Sequence, residues 1–399
     1  DEVDCLNSGA CEGANISRAT GIATDGTGGT DTLSGIERVR GTNLDDTITG
    51  DDGDNRIRAM GGFDVVDGGL GQDTIDYSSA QSNFAEAQNG VAVSLAVGIG
   101  RDAFGDVDLL SNIEHVRGTA LDDVIEGDAN ANQLDGGDGD DEFLGGAGDD
   151  TFIGGNGFDE VAFDDDGVIQ GVNADLSLGG ATDGFGDSDS FSGIEALVGT
   201  GFGDTLSGDG FANRLEGQGG DDTLLGNDGD DTLEGGAGND TIGGSAFGNG
   251  GDDIVFGGDG DDLVFSGDGV DTLFGGLGSD TLDFSPGLQP AVVDLSTGAV
   301  ANDGSGNAET VSGFEAVVGT TGDDTLTFGL GTTMTGGAGD DLFIVGDGIG
   351  LNNVITDFTA GSGSPDVIDL IAFGFSNLAE VQGVSSDDGT NTTIQLDGD

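Results

Sequence analysis

Aspartate recurs at every ninth residue through most of this chain, behind a short run of glycine. Residues 145–153 show the unit most fully, as G-G-x-G-x-D-x-U-x, with Asp150 at the sixth place and the apolar Phe152 at the eighth. If such turns stack, carboxylate and main-chain carbonyl oxygens meet in an anionic, all-oxygen environment. Ca²⁺, with about 6–8 oxygen ligands, suits that environment better than Mg²⁺, which demands a small octahedron, or Zn²⁺, which prefers imidazole and thiolate.

The glycine and aspartate residues of each unit predict a tight turn, because glycine allows positive φ and aspartate bonds its own backbone. The other three residues predict a very short strand with one apolar side chain inward. Two units complete a coil of eighteen residues. Successive coils then stack as parallel strands over a thin apolar ladder. A flexible linker, the alternative for such runs, would not need an apolar residue in register.

Arrays of the unit begin at residues 41, 118, 199 and 319. Ahead of each array a glutamate such as Glu114 holds the sixth place, and one unit further upstream an aspartate such as Asp102 holds the third. A larger module is therefore expected above the nine-residue repeat. The expected divisions are an N-terminal segment 1–13, roll modules 14–76, 91–162, 172–283 and 292–344, junctions 77–90, 163–171 and 284–291, and a C-terminal cap 345–399.

The composition limits the partners of this chain. It has 399 residues, 84 of them glycine, and a formal net charge of -70, which opposes a compact state unless cations neutralise it. Eight basic residues cannot offset that field, so nucleic acid is not an expected partner. No apolar run approaches the roughly 18 residues of a membrane span. Cys5 and Cys11 would close a small disulfide loop in a secreted chain; two free thiols, or pairing elsewhere, are the alternatives.

Motifs for catalysis are missing from the sequence. His115 is the only histidine, and the sequence presents no partners for a triad or a zinc site around it. Neither an H-E-x-x-H protease motif nor a G-x-S-x-G hydrolase motif occurs. The acids lie in predicted turns, whereas a glycosidase pair needs one carboxyl with a raised pKa in an apolar cleft. We therefore predict a chain that is not an enzyme, with a surface or strand histidine at 115.

The repeat resembles that of the RTX (repeats-in-toxin) family, the haemolysin-type calcium-binding proteins, from about Ala14 to Ile344. The resemblance implies an all-β, right-handed parallel β-roll with Ca²⁺ between its turns. It also implies a secreted bacterial protein that is exported unfolded by type I secretion and folds outside the cell in calcium. In the family, the sixth-place aspartate and carbonyls of the glycine turn hold the ion.

Carried over to this sequence, the resemblance implies two sets of metal ligands. The aspartates are Asp46, Asp64, Asp73, Asp123, Asp141, Asp150, Asp159, Asp204, Asp222, Asp231, Asp240, Asp253, Asp262, Asp271, Asp280, Asp324 and Asp341. The glycines are Gly137, Gly139, Gly146, Gly148, Gly229, Gly238, Gly260 and Gly278. Sites at Asn55, Asn132, Asn213 and Thr333 lack the carboxylate and are expected to be weak or empty. The end region 345–399 resembles the cap and secretion region of the family.

Three functions stay open at this point. The first is a structural protein of an adhesin, surface layer or extracellular filament. Its expected partners are calcium ions and either further copies of itself or components of the cell surface or matrix. The second is the C-terminal calcium-folding and type I secretion region of a larger secreted enzyme or toxin. A binding module for carbohydrate or another surface is a third and weaker reading, since nothing in the sequence names such a ligand.

Overall fold

The structure of the chain is a computed structural model. It describes residues 2–4, 13–24, 29–78, 89–164, 167–243, 250–346, 352–359, 365–374, 378–383, 385–387 and 392–394. Cys5 and Cys11 lie outside the described residues, so their pairing stays a prediction. The chain divides into two compact units, Asp1–Gly220 and Asp221–Asp399. The four-module division stays a prediction as well.

The first unit is built from short β-strands. They are β1 Glu2–Asp4, β2 Asn15–Ser17, β3 Ile22–Thr24, β4 Thr30–Thr32, β5 Arg38–Arg40, β6 Thr47–Thr49, β7 Arg56–Arg58, β8 Val65–Asp67, β9 Thr74–Asp76, β10 Ala92–Ser94, β11 Ile99–Arg101, β12 Val107–Ser111, β13 His115–Arg117, β14 Val124–Glu126, β15 Gln133–Asp138, β16 Glu142–Leu144, β17 Thr151–Asn156, β18 Glu160–Ala162, β19 Asn173–Asp175, β20 Gly180–Thr182, β21 Ser188–Ser192, β22 Ala196–Val198, β23 Thr205–Ser207 and β24 Arg214–Glu216.

Alternate strands of the first unit form two parallel ladders. One runs β5, β7, β9, β13, β15 and β17. The other contains β6 with β8, and β14, β16, β18, β22 and β24. In both ladders the paired residues are eighteen apart where the repeat is unbroken, as in Val39 with Ile57 and Ile48 with Val66. Two nine-residue units therefore make one coil, as the repeat predicts.

The second unit follows the same plan. Its strands are β25 Thr223–Leu225, β26 Thr232–Ala237, β27 Thr241–Ile242, β28 Ile254–Asp259, β29 Leu263–Phe265, β30 Thr272–Leu277, β31 Thr281–Asp283, β32 Ala291–Asp294, β33 Ala299–Asp303, β34 Glu309–Ser312, β35 Ala316–Val318, β36 Thr325–Thr327, β37 Thr333–Thr335, β38 Leu342–Ile344, β39 Val354–Ile355, β40 Val367–Asp369, β41 Ser385–Asp387 and β42 Thr392–Ile394. A 3-10 helix spans Ile371–Phe373 and an α-helix spans Leu378–Gly383.

Parallel ladders of the second unit continue into the region expected to be a cap. Strand β39 pairs with β37, and β40 pairs with β38, in the parallel sense of the roll. Strands β41 and β42 instead form an antiparallel pair. The predicted all-β parallel roll is confirmed in both units.

Eighth-place side chains form the core of the roll. Ile48, Ile57, Val66 and Ile75 are fully buried in the first unit, and Leu282 is fully buried in the second. Each such residue contributes about 1.5–3 kcal/mol when its side chain leaves water, so a single coil is not stable without its neighbours.

Hairpins interrupt the coil where the sequence suggested an unbroken nine-residue frame. Strands β10, β11 and β12 pair antiparallel, and β10 and β12 also join the parallel ladders beside β14 and β8. The same three-stranded pattern recurs at β2–β4 and β19–β21, and in the second unit at β32–β34. Asp102, expected at the third place of a regular unit, instead begins the loop between β11 and β12.

Candidate metal centre

A ladder of aspartates runs along the turns inside each unit. The carboxylate Oδ1 of a sixth-place aspartate accepts a hydrogen bond from the main-chain N–H of the sixth-place residue one coil earlier. Asp46 donates in this way to Asp64 over 2.7 Å, and Asp123 donates to Asp141 over 2.8 Å. In the second unit Asp253 donates to Asp271 over 2.9 Å. We call these residues the aspartate ladder. Their Oδ1 atoms are held by the backbone and do not need a cation.

The second oxygen of most ladder aspartates has no such partner. Their Oδ2 atoms are buried and accept no hydrogen bond, although a buried polar atom without a partner costs about 1–3 kcal/mol, and more when it is charged. The aspartates in question are Asp64, Asp73, Asp141, Asp150, Asp159, Asp240, Asp262, Asp271 and Asp280. A row of buried anionic oxygens that receive no donor fits a row of bound cations.

Glycine is required in the turns that these oxygens face. A methyl group added to Gly145 would lie 2.5 Å from Asp150 Oδ2. Gly137 has φ of +119°, and a methyl group there would collide with the carbonyl oxygen of Thr119. All the glycines predicted as carbonyl ligands have positive φ. The repeat therefore keeps glycine because the turn brings main-chain oxygens and the carboxylate close together.

Burial shifts the protonation of the ladder. Burial, reinforced by neighbouring carboxylates, raises the pKa of Asp64 to about 9 and the pKa values of Asp141 and Asp150 to about 8. In the second unit burial raises the pKa of Asp253 to about 8 and that of Asp271 to about 7. Without a cation these carboxyls hold protons near neutral pH. A cation that binds there must displace them.

The first aspartate of each array differs from the rest of the ladder. Asp123 Oδ2 accepts the N–H of Thr119 at 2.5 Å, and its Oδ1 accepts the N–H of Val91 and the Thr119 hydroxyl. Threonine at the second place of the unit supplies the same donors in the other arrays, at Asp46, Asp204 and Asp324. Because both oxygens already accept protein donors, these four predicted ligands need a cation least.

Asparagine side chains at the sixth position make their hydrogen bonds to protein groups and need no ion. Asn132 Oδ1 accepts the N–H of Asp128, and its Nδ2 donates to the carbonyl oxygen of Glu114 over 3.0 Å. The amide of Asn213 donates to the carbonyl of Glu195 in the same manner. The amide hydrogens thus occupy the carbonyl oxygens of the two glutamates. Weak or empty sites at asparagine stay a prediction.

In the units before the arrays, glutamate takes the sixth position, as the sequence predicts, and its carboxylate accepts the hydrogen bond that an aspartate accepts elsewhere. Glu114 Oε2 accepts the N–H of Asp73, and Glu195 Oε2 accepts the N–H of Asp159.

In the fourth array one expected position is wrong. Thr332, and not Thr333, occupies the sixth place, because the coil is one residue short and Met334 fills the core.

Side chains alone do not complete a metal site. Over the residues that the structure describes, no group of three or more His, Cys, Asp or Glu side chains meets the geometry of a metal centre. Calcium in these turns would therefore need glycine-turn carbonyls beside the carboxylates.

His115 lies on β13, where its Nδ1 accepts the N–H of Gln133. Within the described ranges, no helix has the length and apolar character needed to cross a membrane.

Acidic residues in the hairpins were missed by the repeat frame. Asp189 Oδ1 accepts the N–H of Asp150, so Asp189 belongs to the ladder although it lies outside the nine-residue units. Asp108 Oδ1 likewise accepts the main-chain N–H of Asp64. The available signal is a pair of acids six residues apart, which recurs as Asp102 with Asp108, Asp183 with Asp189, and Asp303 with Glu309.

Comparison with known proteins identifies a family that has the same nine-residue repeat. The chain matches the family described as the RTX calcium-binding nonapeptide repeat at residues 40–75, 117–152, 126–161, 198–233, 207–242 and 247–282. No curated protein matches it. Among solved structures it is similar to the extracellular lipase LipA from Serratia marcescens, at 19% identity and a TM-score of 0.18. That match covers 50% of this chain and 37% of the lipase.

Proposed function

We propose that this chain, which is a member of the RTX calcium-binding repeat family, is a secreted structural protein whose roll forms when Ca²⁺ occupies its turns outside the cell. The observation that carries the proposal is the row of buried aspartate Oδ2 atoms without a donor. Asp141, Asp150 and their equivalents would hold the ions, with carbonyls of turn glycines such as Gly137 and Gly146. Bound calcium would supply the positive charge that the turns lack.

Charge explains why folding would depend on calcium. The chain carries a formal net charge of -70, and its ladder carboxyls are buried near one another. Without calcium, these groups must either repel one another or hold protons against their ordinary pKa. Binding energy at many turns therefore becomes folding energy, and low calcium inside a cell would leave the chain expanded.

A structural role agrees better with the arrangement of the chain than catalysis does. Within the described residues, the roll repeats the same coil and hairpin in both units. Most of its buried acids join the ladder or fold the hairpins, and Asp76 pairs with Arg56 and Arg58. We propose that the roll acts in an adhesin, surface layer or extracellular filament.

A calcium titration followed by circular dichroism and light scattering tests this function. A cooperative gain of β signal with particles growing to large size supports a calcium-assembled surface or filament protein. A gain of β signal with a compact monomer would overturn the assembly role and favour a calcium-folding region of a larger secreted protein. A roll that forms fully in chelator would overturn the calcium mechanism itself.

A further inference from the structure

The hairpin between β20 and β21 ends in a loop built around one carboxylate. Asp183 Oδ1 accepts the main-chain N–H groups of Phe185, Gly186 and Asp187, at 3.1, 2.7 and 2.7 Å. Asp183 is only 2% exposed, and its Oδ2 is buried with no hydrogen-bond donor. One oxygen of Asp183 therefore folds the loop, whereas the other lacks a partner.

Two further carboxylates approach the same place. Asp150 lies in the repeat turn next to the loop, and its Oδ2 also has no donor. Asp189 follows the loop and receives the N–H of Asp150 on its Oδ1 at 2.9 Å. A shallow, partly open cleft at this place is lined by Gly145, Gly146, Phe163, Asp183, Phe185 and Asp189. Asp183 and Asp189 thus line a cleft beside the repeat turn of Gly145 and Gly146.

A natural comparison within the first unit shows what this site lacks. Tyr77 and Phe163 occupy equivalent places, since each follows the last strand before a junction. Each donates its main-chain N–H to the last residue of the neighbouring parallel strand, Tyr77 to Arg117 and Phe163 to Val198. The Tyr77 hydroxyl donates to Asp108 Oδ2 over 3.1 Å. Phe163 has no hydroxyl, so Asp189 lacks the donor that Asp108 receives from Tyr77.

We propose that this hairpin holds a Ca²⁺ ion of a second kind, outside the nonapeptide turns, with the carboxylates of Asp150, Asp183 and Asp189 among its ligands. The proposal rests on the calcium-dependent fold proposed above. In the described residues no three acidic side chains are grouped closely enough to hold an ion by themselves, so main-chain oxygens are needed as well. Carbonyl oxygens of the Gly145 and Gly146 turn, which lines the cleft, complete the shell of a cation that takes about 6–8 oxygens.

The second unit repeats part of the arrangement, although there the Oδ2 of Asp303 accepts the side-chain amide of Asn307 at 3.4 Å. Phe284 stands at the place of Phe163, and Asp303 folds its loop by accepting the N–H groups of Ser305, Gly306 and Asn307. Glu309 is 5% exposed and its carboxylate lies beside the side chain of Ser266, whereas the buried Oδ2 of Asp271 has no hydrogen-bond donor. Unpartnered acids also lie beside Tyr77, at the Oδ2 atoms of Asp64 and Asp102, so the phenylalanine in place of tyrosine is what the other two hairpins share.

The calcium content of the full chain tests the proposal. Wild type and variants are equilibrated with limiting free Ca²⁺, separated by gel filtration, and analysed for calcium per chain, with circular dichroism as the check on folding. Asp183→Asn and Asp189→Asn keep the Oδ1 acceptors but remove the charge of the second oxygen. Asp187→Asn is the matched control, since Asp187 accepts the N–H of Gly148 and an amide oxygen can do the same.

We expect Asp183→Asn and Asp189→Asn each to bind one Ca²⁺ fewer than wild type, and Asp187→Asn to bind the wild-type number. Folded variants at 183 and 189 with an unchanged calcium count would overturn the proposal. If these variants do not fold, Phe163→Tyr decides, because it keeps every carboxylate and adds the donor seen at Tyr77. It should lose one Ca²⁺, and an unchanged count would reject the site. A wild-type chain that binds no calcium would reject the proposed function as well, so the two failures are distinguishable.

Discussion

Asp123 donates its main-chain N–H to the carboxylate of Asp141, eighteen residues later, over 2.8 Å. The two aspartates are one coil apart and occupy the same place in the repeat, but their carboxylates have different surroundings. Asp123 accepts protein donors on both oxygens, whereas the Oδ2 of Asp141 accepts none. The same residue type in the same frame therefore has a structural role in one turn and is open to a cation in the next.

Substitution by asparagine should separate these two roles. In Asp141→Asn the acceptor for Asp123 survives and one anionic oxygen is lost, so we expect fewer bound Ca²⁺ and a higher calcium requirement for folding. In Asp123→Asn an amide group must face a donor, the N–H of Thr119 or that of Val91. We expect a loss of about 1–3 kcal/mol of stability at saturating calcium. Urea unfolding at several calcium concentrations measures both effects. Equal calcium dependence in the two variants would contradict the distinction.

Alanine in a repeat turn should be far more damaging than alanine at an open glycine. Gly137 has φ of +119° and lies against the carbonyl of Thr119, so Gly137→Ala combines backbone strain with a collision. We expect a loss of at least about 1–3 kcal/mol and a shift of the calcium midpoint to higher concentration. Gly210→Ala is the control, because a methyl group there meets nothing within 4 Å. Thermal unfolding compares the two, and equal stability of both variants would refute the role given to the turn.

The period of the sequence predicts the coil and its core, but it does not predict the partners of each carboxylate. Ile48 and Val66 could be placed because one apolar residue per unit must be buried. The hairpin at Asp102 escaped prediction because aspartate and glycine are equally suitable for a hairpin loop and for a repeat turn. Whether an Oδ2 atom lacks a donor depends on Thr119 or Tyr77, which a nine-residue pattern treats as variable positions.

Acid should favour the calcium-free roll. Burial raises the folded-state pKa of Asp64 to about 9 and that of Asp141 to about 8, against an ordinary value near 3.8. Protonation therefore favours the folded state. The stability from this source is fully present below the ordinary pKa and is lost progressively as the pH rises toward the folded-state values. In dialysed, calcium-free protein we expect the β signal in circular dichroism to rise as the pH falls from about 9 to about 5.

Calcium should reverse that dependence. Protons and Ca²⁺ compete for the same oxygens, so the calcium midpoint for folding should move to higher concentration as the pH falls. Circular dichroism titrations at several pH values measure this midpoint. A calcium midpoint that does not change between pH 5 and 8 would show that the buried carboxyls do not hold the ion.

Returning a carboxylate to an asparagine place should increase calcium dependence. Asn132 donates its Nδ2 to the carbonyl of Glu114 over 3.0 Å, and Asn132→Asp replaces this donor with an anionic oxygen. Without calcium the variant should be less stable than wild type, because a buried oxygen and a carbonyl would face each other unpaired. With calcium we expect one additional bound ion per chain and restored stability. Calcium content after gel filtration measures the number of bound ions, and urea unfolding with and without calcium measures the stability. A variant that stays destabilised at saturating calcium and binds no additional ion would show that aspartate at this place is not sufficient to create a site.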